Sequence, residues 1–155
     1  MTPTDLREEI AIELEAMQKV VQELLLLHQD VRQRIPSTRE KTAGAAFLAQ
    51  FYNGLENILK RITLFRDIPL PDGPNWHVEL FQRFVSPYPG LPQLFDSLLA
   101  RDLAPYRRFR HVVFHSYGFQ LEWDRMAEGI SQVQPVFEKF KARLQTFLRT
   151  LDEGN

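Results

Sequence analysis

Within eight residues, Arg110 to Tyr117, the chain places an arginine, two histidines (His111 and His115) and a tyrosine. A guanidinium presents a planar fork of permanently charged donors that fits phosphate oxygens, and an imidazole takes or gives a proton near neutral pH. Together they are the minimum set for cleaving a phosphodiester, and the combination points to RNA. Just upstream, Arg101, Arg107 and Arg108 join Arg110 in a local basic patch opposed only by Asp102, in a chain whose formal net charge is -1. A nucleic-acid contact is therefore expected to be local, with Arg107 and Arg108 as supplementary phosphate ligands.

Spacing sets conditions on how these groups can be used. Residues five apart on a straight α-helix lie about 140° apart around its axis, so Arg110 and His115 would not share a face. His111 and His115, four apart, would align, and so would Arg110 and Tyr117, seven apart. Joint use of Arg110 and His115 then requires a kink, or a second copy of the chain contributing its own pair across a two-fold axis. A homodimer is the natural expectation. Metal and cofactor chemistry find little support. The chain has no cysteine, Val112 stands where a zinc-protease helix needs its glutamate between two histidines, and no third ligand accompanies His111 and His115. A Gly-Lys-Ser or Gly-Lys-Thr phosphate loop and a dinucleotide fingerprint are both missing, so no cofactor is expected.

The elements that must position these groups read as helices throughout. Ile10, Leu14, Met17, Val21, Leu24, His28, Val31 and Ile35 alternate spacings of four and three, which predicts one long helix from a cap at Thr4 or Asp5 until Pro36 stops it. Ser37 with Glu40 forms a capping box for a second helix, with Leu48, Phe51, Leu55, Ile58, Ile62 and Phe65 on its apolar seam. Glu56 and Lys60, one turn apart on it, read as a surface or intersubunit ion pair. Pro69, Pro71, Asp72, Gly73 and Pro74, then Pro87, Pro89, Gly90 and Pro92, break the chain twice and leave a short helix near Trp76 to Val85, which His77 and Trp76 would dock. A helix over about 92–103 follows, Pro105 opens the helix that carries the motif, and the last helical segment runs to Leu151 with Pro135 kinking or splitting it. The 12 phenylalanines are assigned to the apolar seams. The expected fold is all-α, an up-and-down bundle of four to six helices with a Pro-rich middle segment, occupying residues 1–155 as a single domain.

Composition agrees with a globular chain: 44% apolar and 25% charged residues over 155 positions, enough to bury a core in one domain. Apolar runs such as Leu24–Leu27 are far too short to span a bilayer, which takes roughly 20 residues. Asp5, Glu8 and Glu9 stand where a signal peptide would be basic, and the lack of cysteine fits a reducing compartment, so a cytoplasmic location without membrane association is expected.

An arginine, a polar residue and then a histidine after a spacing of four to six, on a late helix of a small helical bundle, resembles the HEPN superfamily. His115-Ser116-Tyr117-Gly118 is similar to its HepT branch, the ribonuclease toxins paired with MNT-type nucleotidyltransferase antitoxins. Phe109-Arg110-His111, the second-helix text from Phe47 to Ile58, and Trp76-His77 resemble a HepT-like subgroup. The resemblance implies metal-independent cleavage of RNA by a homodimer whose two motifs line one cleft. It implies that Arg110 holds the scissile phosphate, that His115 is the general base or acid, and that His111, where relatives carry asparagine or aspartate, plays a supporting role. It further implies that Tyr117 is the tyrosine that the cognate nucleotidyltransferase adenylylates. A rival reading keeps the bundle as a non-catalytic nucleotide- or RNA-binding or docking subunit of a nucleotidyltransferase complex. No segment reads as a sequence-specific reader of RNA, so the target is not legible.

Overall fold

The computed structural model describes residues 1–153. These form five α-helices and a 3-10 turn: α1 (Pro3–Asp30), α2 (Thr38–Phe65), α3 (Trp76–Gln82), α4 (Ser97–His115), the 3-10 turn (Gly118–Gln120) and α5 (Trp123–Glu153). Among the described residues there is no strand, only an isolated bridge between Tyr88 and Leu91. The architecture is the expected all-α bundle. Helix α2 is its axis and packs against every other element. The core is one apolar cluster fed by all five helices, with Leu6 and Val21 of α1, Phe51 and Leu55 of α2, Phe81 of α3, Leu103 of α4 and Phe137 and Phe140 of α5. No helix among the described residues is long and apolar enough to cross a membrane.

Helix α1 is capped two or three residues earlier than the sequence reading places it. Thr2 is the cap: its hydroxyl accepts from the Asp5 N–H at 3.1 Å, and the Asp5 carboxylate accepts from the Thr2 N–H at 2.9 Å. Asp5 therefore completes the capping box instead of opening the helix, and Pro3 occupies the first turn, where its missing donor costs nothing. The far end also differs. The helix stops at Asp30 and Ile35 is 91% exposed. Val31 is the last apolar residue that reaches the core, and beyond it the Arg34 fork grips both oxygens of Glu40, closing the turn into α2. That guanidinium, aided by the Ser37 N–H, holds the Glu40 carboxyl down at about 2. Ser37 and Glu40 form the anticipated capping box.

Two prolines are absorbed. The expected pair of helices around Pro105 is one helix, α4, capped by Asp96, whose carboxylate accepts from the Leu99 N–H at 2.8 Å. Leu99, Leu103 and Tyr106 make a single buried seam across the proline, and the Tyr106 hydroxyl donates to the Gly129 carbonyl of α5 at 2.7 Å. This tertiary anchoring offsets the roughly 3 kcal/mol that an interior proline costs a helix. Leu94 and Phe95, expected on a helix, are buried from a loop instead, with the Phe95 N–H donating to the Phe84 carbonyl. Helix α5 likewise runs past Pro135 without splitting, carried by Val133, Val136, Phe137 and Phe140 on its buried face.

Candidate active site on helix α4

Arg110 lies on the face of α4 that turns toward α2 and α3. Its Nε donates to the Asn53 Oδ1 at 2.5 Å, and its Nη1 lies 3.3 Å from His77 Nε2. Glu56 stands behind both, with Oε1 3.8 Å from Arg110 Nε and Oε2 2.6 Å from His77 Nδ1. Because the guanidinium only donates, the His77 Nε2 accepts from it, and the ring's proton sits on Nδ1, donated to Glu56. Glu56 is 3% exposed among Leu55, Ile58 and Leu59, where a carboxylate is tolerable only when paired. The ion pair read between Glu56 and Lys60 is thus corrected: Glu56 is internal, and Lys60 lies over the Trp76 ring at 4.5 Å. Trp76 in turn lies against His77, with ring centroids 3.4 Å apart and planes tilted by 32°. His77 does hold α3 against the bundle, through Glu56 of α2 and Arg110 of α4.

The same cluster perturbs Tyr52, one turn before Glu56. Burial pushes its hydroxyl above the usual tyrosine range, the Glu56 charge adds to this, and the Arg107 and Arg110 guanidiniums oppose it. Arg107 also covers the Phe81 ring at 5.3 Å, tying α4 to α3 a second time.

His111 and His115 turn away from this cluster, about 100° and 140° around the helix from Arg110. Both are exposed, and their rings stand 4.4 Å apart, as the four-residue spacing requires. Helix α4 runs unbroken to His115, so no interruption brings His115 round to Arg110. Among the described residues no hydrogen bond or ring contact joins the two. Val112 and Phe114, 44% and 62% exposed, share this end of the helix.

Tyr117 falls outside the helix. Ser116 adopts an extended backbone (φ -134°, ψ 148°), so the seven-residue helical alignment of Tyr117 with Arg110 does not form. Tyr117 is 71% exposed and stacks on Phe119, with ring centroids 5.6 Å and planes 2° apart. Phe114 and Phe119 therefore depart from the expectation that the phenylalanines fill the core; Phe119 is 69% exposed. The turn between them sits tightly on α2: a Cβ at Gly118 would lie 2.2 Å from the Thr42 hydroxyl oxygen, so only glycine permits that approach.

The expected basic patch is divided by the helix. Arg107 and Arg110 face α2 and α3, whereas Arg101 and Arg108 line a cleft of about 550 Å³ between α4 and α5, together with Arg125, Lys139, Asp102 and Glu128. Neither Arg110 nor His115 borders that cleft. No group of three His, Cys, Asp or Glu side chains among the described residues could hold a metal ion.

Sequence reasoning missed Asn53 and the internal role of Glu56. Their signal was available in retrospect: both fall within five residues of Leu55 and Ile58, on the inner half of a helix whose neighbours are apolar.

The family model described as HepT-like protein matches residues 43–151, a span that holds Asn53, Glu56, His77 and the whole Arg110–Tyr117 segment. No match was found among curated proteins or among solved structures. With that match over most of an all-α bundle built around an arginine, two histidines and a tyrosine, the chain belongs to the HepT-like proteins of the HEPN superfamily.

Proposed function

We propose that this protein is a metal-independent RNA endonuclease, the toxin of a toxin–antitoxin pair, acting as a homodimer. The observation that supports this reading best is the fixed guanidinium. Arg110 is held by Asn53, His77 and Glu56 before any substrate arrives, so its orientation entropy is settled in the fold and its charge is aimed at one place. In the proposed reaction Arg110 binds the scissile phosphate and stabilises the charge that develops on it. His115 transfers a proton to or from the ribose 2′-hydroxyl or the leaving oxygen, with His111 beside it as polar support. The continuous helix keeps Arg110 and His115 apart within one chain. A two-fold partner solves this by bringing the partner subunit's His115 to Arg110, and Val112 and Phe114 offer apolar surface for it to cover.

Regulation belongs to the same end of α4. A cognate MNT-type nucleotidyltransferase would neutralise the toxin by adding AMP to Tyr117, whose exposure makes it accessible. The added phosphate and bulk at this end of α4 would exclude RNA by repulsion and by sterics.

One observation favours the rival docking-subunit reading: Arg110 already spends its Nε and Nη1 on protein partners. The two readings separate in one assay. Purified protein incubated with RNA in chelator cleaves it under the first reading, and His115→Ala does not; absence of cleavage by the wild type rejects the enzyme and leaves the binding module. Expression of the chain alone arrests growth only under the first.

A further inference from the structure

We infer that His77, oriented by Glu56, is a second proton-transfer group of the site and serves as the general base. This rests on the ribonuclease reading above and deepens it. Two independent neighbours select the ring's tautomer: the Glu56 carboxylate faces Nδ1 at 2.6 Å, and the Arg110 Nη1, which can only donate, faces Nε2 at 3.3 Å. The neutral ring in this setting carries its proton on Nδ1 and turns its one lone pair toward the phosphate-binding guanidinium. A carboxylate behind an imidazole raises its basicity and locks its tautomer, the arrangement that activates a hydroxyl in other acid–base sites. The Trp76 ring, tilted 32° from it with centroids 3.4 Å apart, limits how far the imidazole can turn. The His77 side chain keeps 25% of its surface exposed and that of Arg110 24%, so both reach solvent at the same place while Glu56 does not.

A docking histidine needs one partner. This one has a buried acid on one nitrogen and a functional cation on the other. When a phosphate takes the Arg110 Nη1, the guanidinium leaves Nε2, and the lone pair is freed within a few ångströms of the phosphate and its adjacent ribose. The 2′-hydroxyl proton then passes to Nε2 as the 2′-oxygen bonds to phosphorus. The bond from phosphorus to the 5′-oxygen breaks, and the departing oxygen takes a proton from the imidazolium of the partner subunit's His115. The products are a 2′,3′-cyclic phosphate and a 5′-hydroxyl, and the next turnover begins once the two imidazoles have exchanged protons with water.

The test is cleavage of a mixed-sequence RNA oligonucleotide in chelator across pH 5–9 by wild type, His77→Gln, His77→Ala with and without added imidazole, and Glu56→Gln. The charged groups facing the ring are Glu56 of α2 and Arg110 of α4, with Lys60 of α2 across Trp76. Wild type is expected to yield cyclic phosphate ends. His77→Gln should be slowed roughly 100-fold with the acid limb of kcat/KM lost, and imidazole should restore part of the His77→Ala rate. Glu56→Gln, which keeps an acceptor for Nδ1–H without the charge, should move the acid limb to lower pH. A His77→Gln enzyme as fast as wild type, or variants slowed with an unchanged pH profile and no response to imidazole, overturns the base assignment and leaves His77 as a docking residue. An acid limb unmoved in Glu56→Gln overturns it as well, and this arm stands if the His77 variants fail to fold. A wild type that cleaves nothing overturns the ribonuclease reading itself, an outcome distinct from an active wild type with indifferent variants.

Discussion

The two sides of α4 carry the same kinds of residue in opposite conditions. On the inner side Arg110 is clasped by Asn53, Glu56 and His77 from two other helices. On the outer side His111 and His115 are exposed and touch each other. The inner face is finished by folding; the outer face is left open to solvent. Pre-organisation is therefore concentrated on the inner cluster, where side chains from two other helices fix one guanidinium, while no such clasp holds the outer imidazoles among the described residues.

Substitutions that damage the two faces differently would sharpen this contrast or dissolve it. The largest effect is expected for Arg110→Lys, which keeps the charge but loses the fork: RNA cleavage should fall roughly 1000-fold while helicity by circular dichroism is retained. A rate within tenfold of wild type would mean that the inner clasp does not orient the phosphate. Next comes stability. Glu56→Ala strips the clasp of its buried charge and should cost about 3 kcal/mol, at the low end for a buried pair because Arg110 and His77 are partly exposed. For a chain of this size that lowers Tm by about 6–12 °C in a thermal melt. His115→Ala should do the reverse, reducing cleavage roughly 100-fold with Tm unchanged, since the ring is exposed. Equal Tm losses in these two variants would erase the distinction between the faces. The smallest effect belongs to Tyr117→Phe: cleavage unaltered, with mass spectrometry showing no added AMP after coexpression with the nucleotidyltransferase, where wild type gains it.

How much of this was legible in the sequence follows from what periodicity can encode. The bundle was readable because core seams repeat every three to four residues, and the Ser37–Glu40 capping box because caps are local. The prolines misled because Pro105 and Pro135 are rescued by seams and by the Tyr106–Gly129 hydrogen bond, contacts between segments far apart in the chain. The 140° separation of Arg110 and His115 was correctly anticipated from helical geometry, and α4 keeps it. The alignment of Tyr117 with Arg110 failed because the helix ends two residues short of it. Glu56 was misread for a related reason: a glutamate beside a lysine one turn on looks solvated, and only the arrival of Arg110 and His77 from α4 and α3 shows that its charge is neutralised inside.

Gly118 gives the tyrosine a fixed address. The turn behind Tyr117 rests on Thr42 through a gap that a single methyl would close, and the residues that clasp Arg110 begin at Asn53 on the same helix. Grip and turn are thus two marks on one rod, separated along α2 by eleven residues, or about 16 Å at the rise of an α-helix. A rod transmits position without adding slack. The spacing between Tyr117 and the arginine is thus a length set by α2, and because Ala45, Leu48, Ala49, Phe51 and Tyr52 are buried along that stretch, it cannot change without turning the core seam out of register.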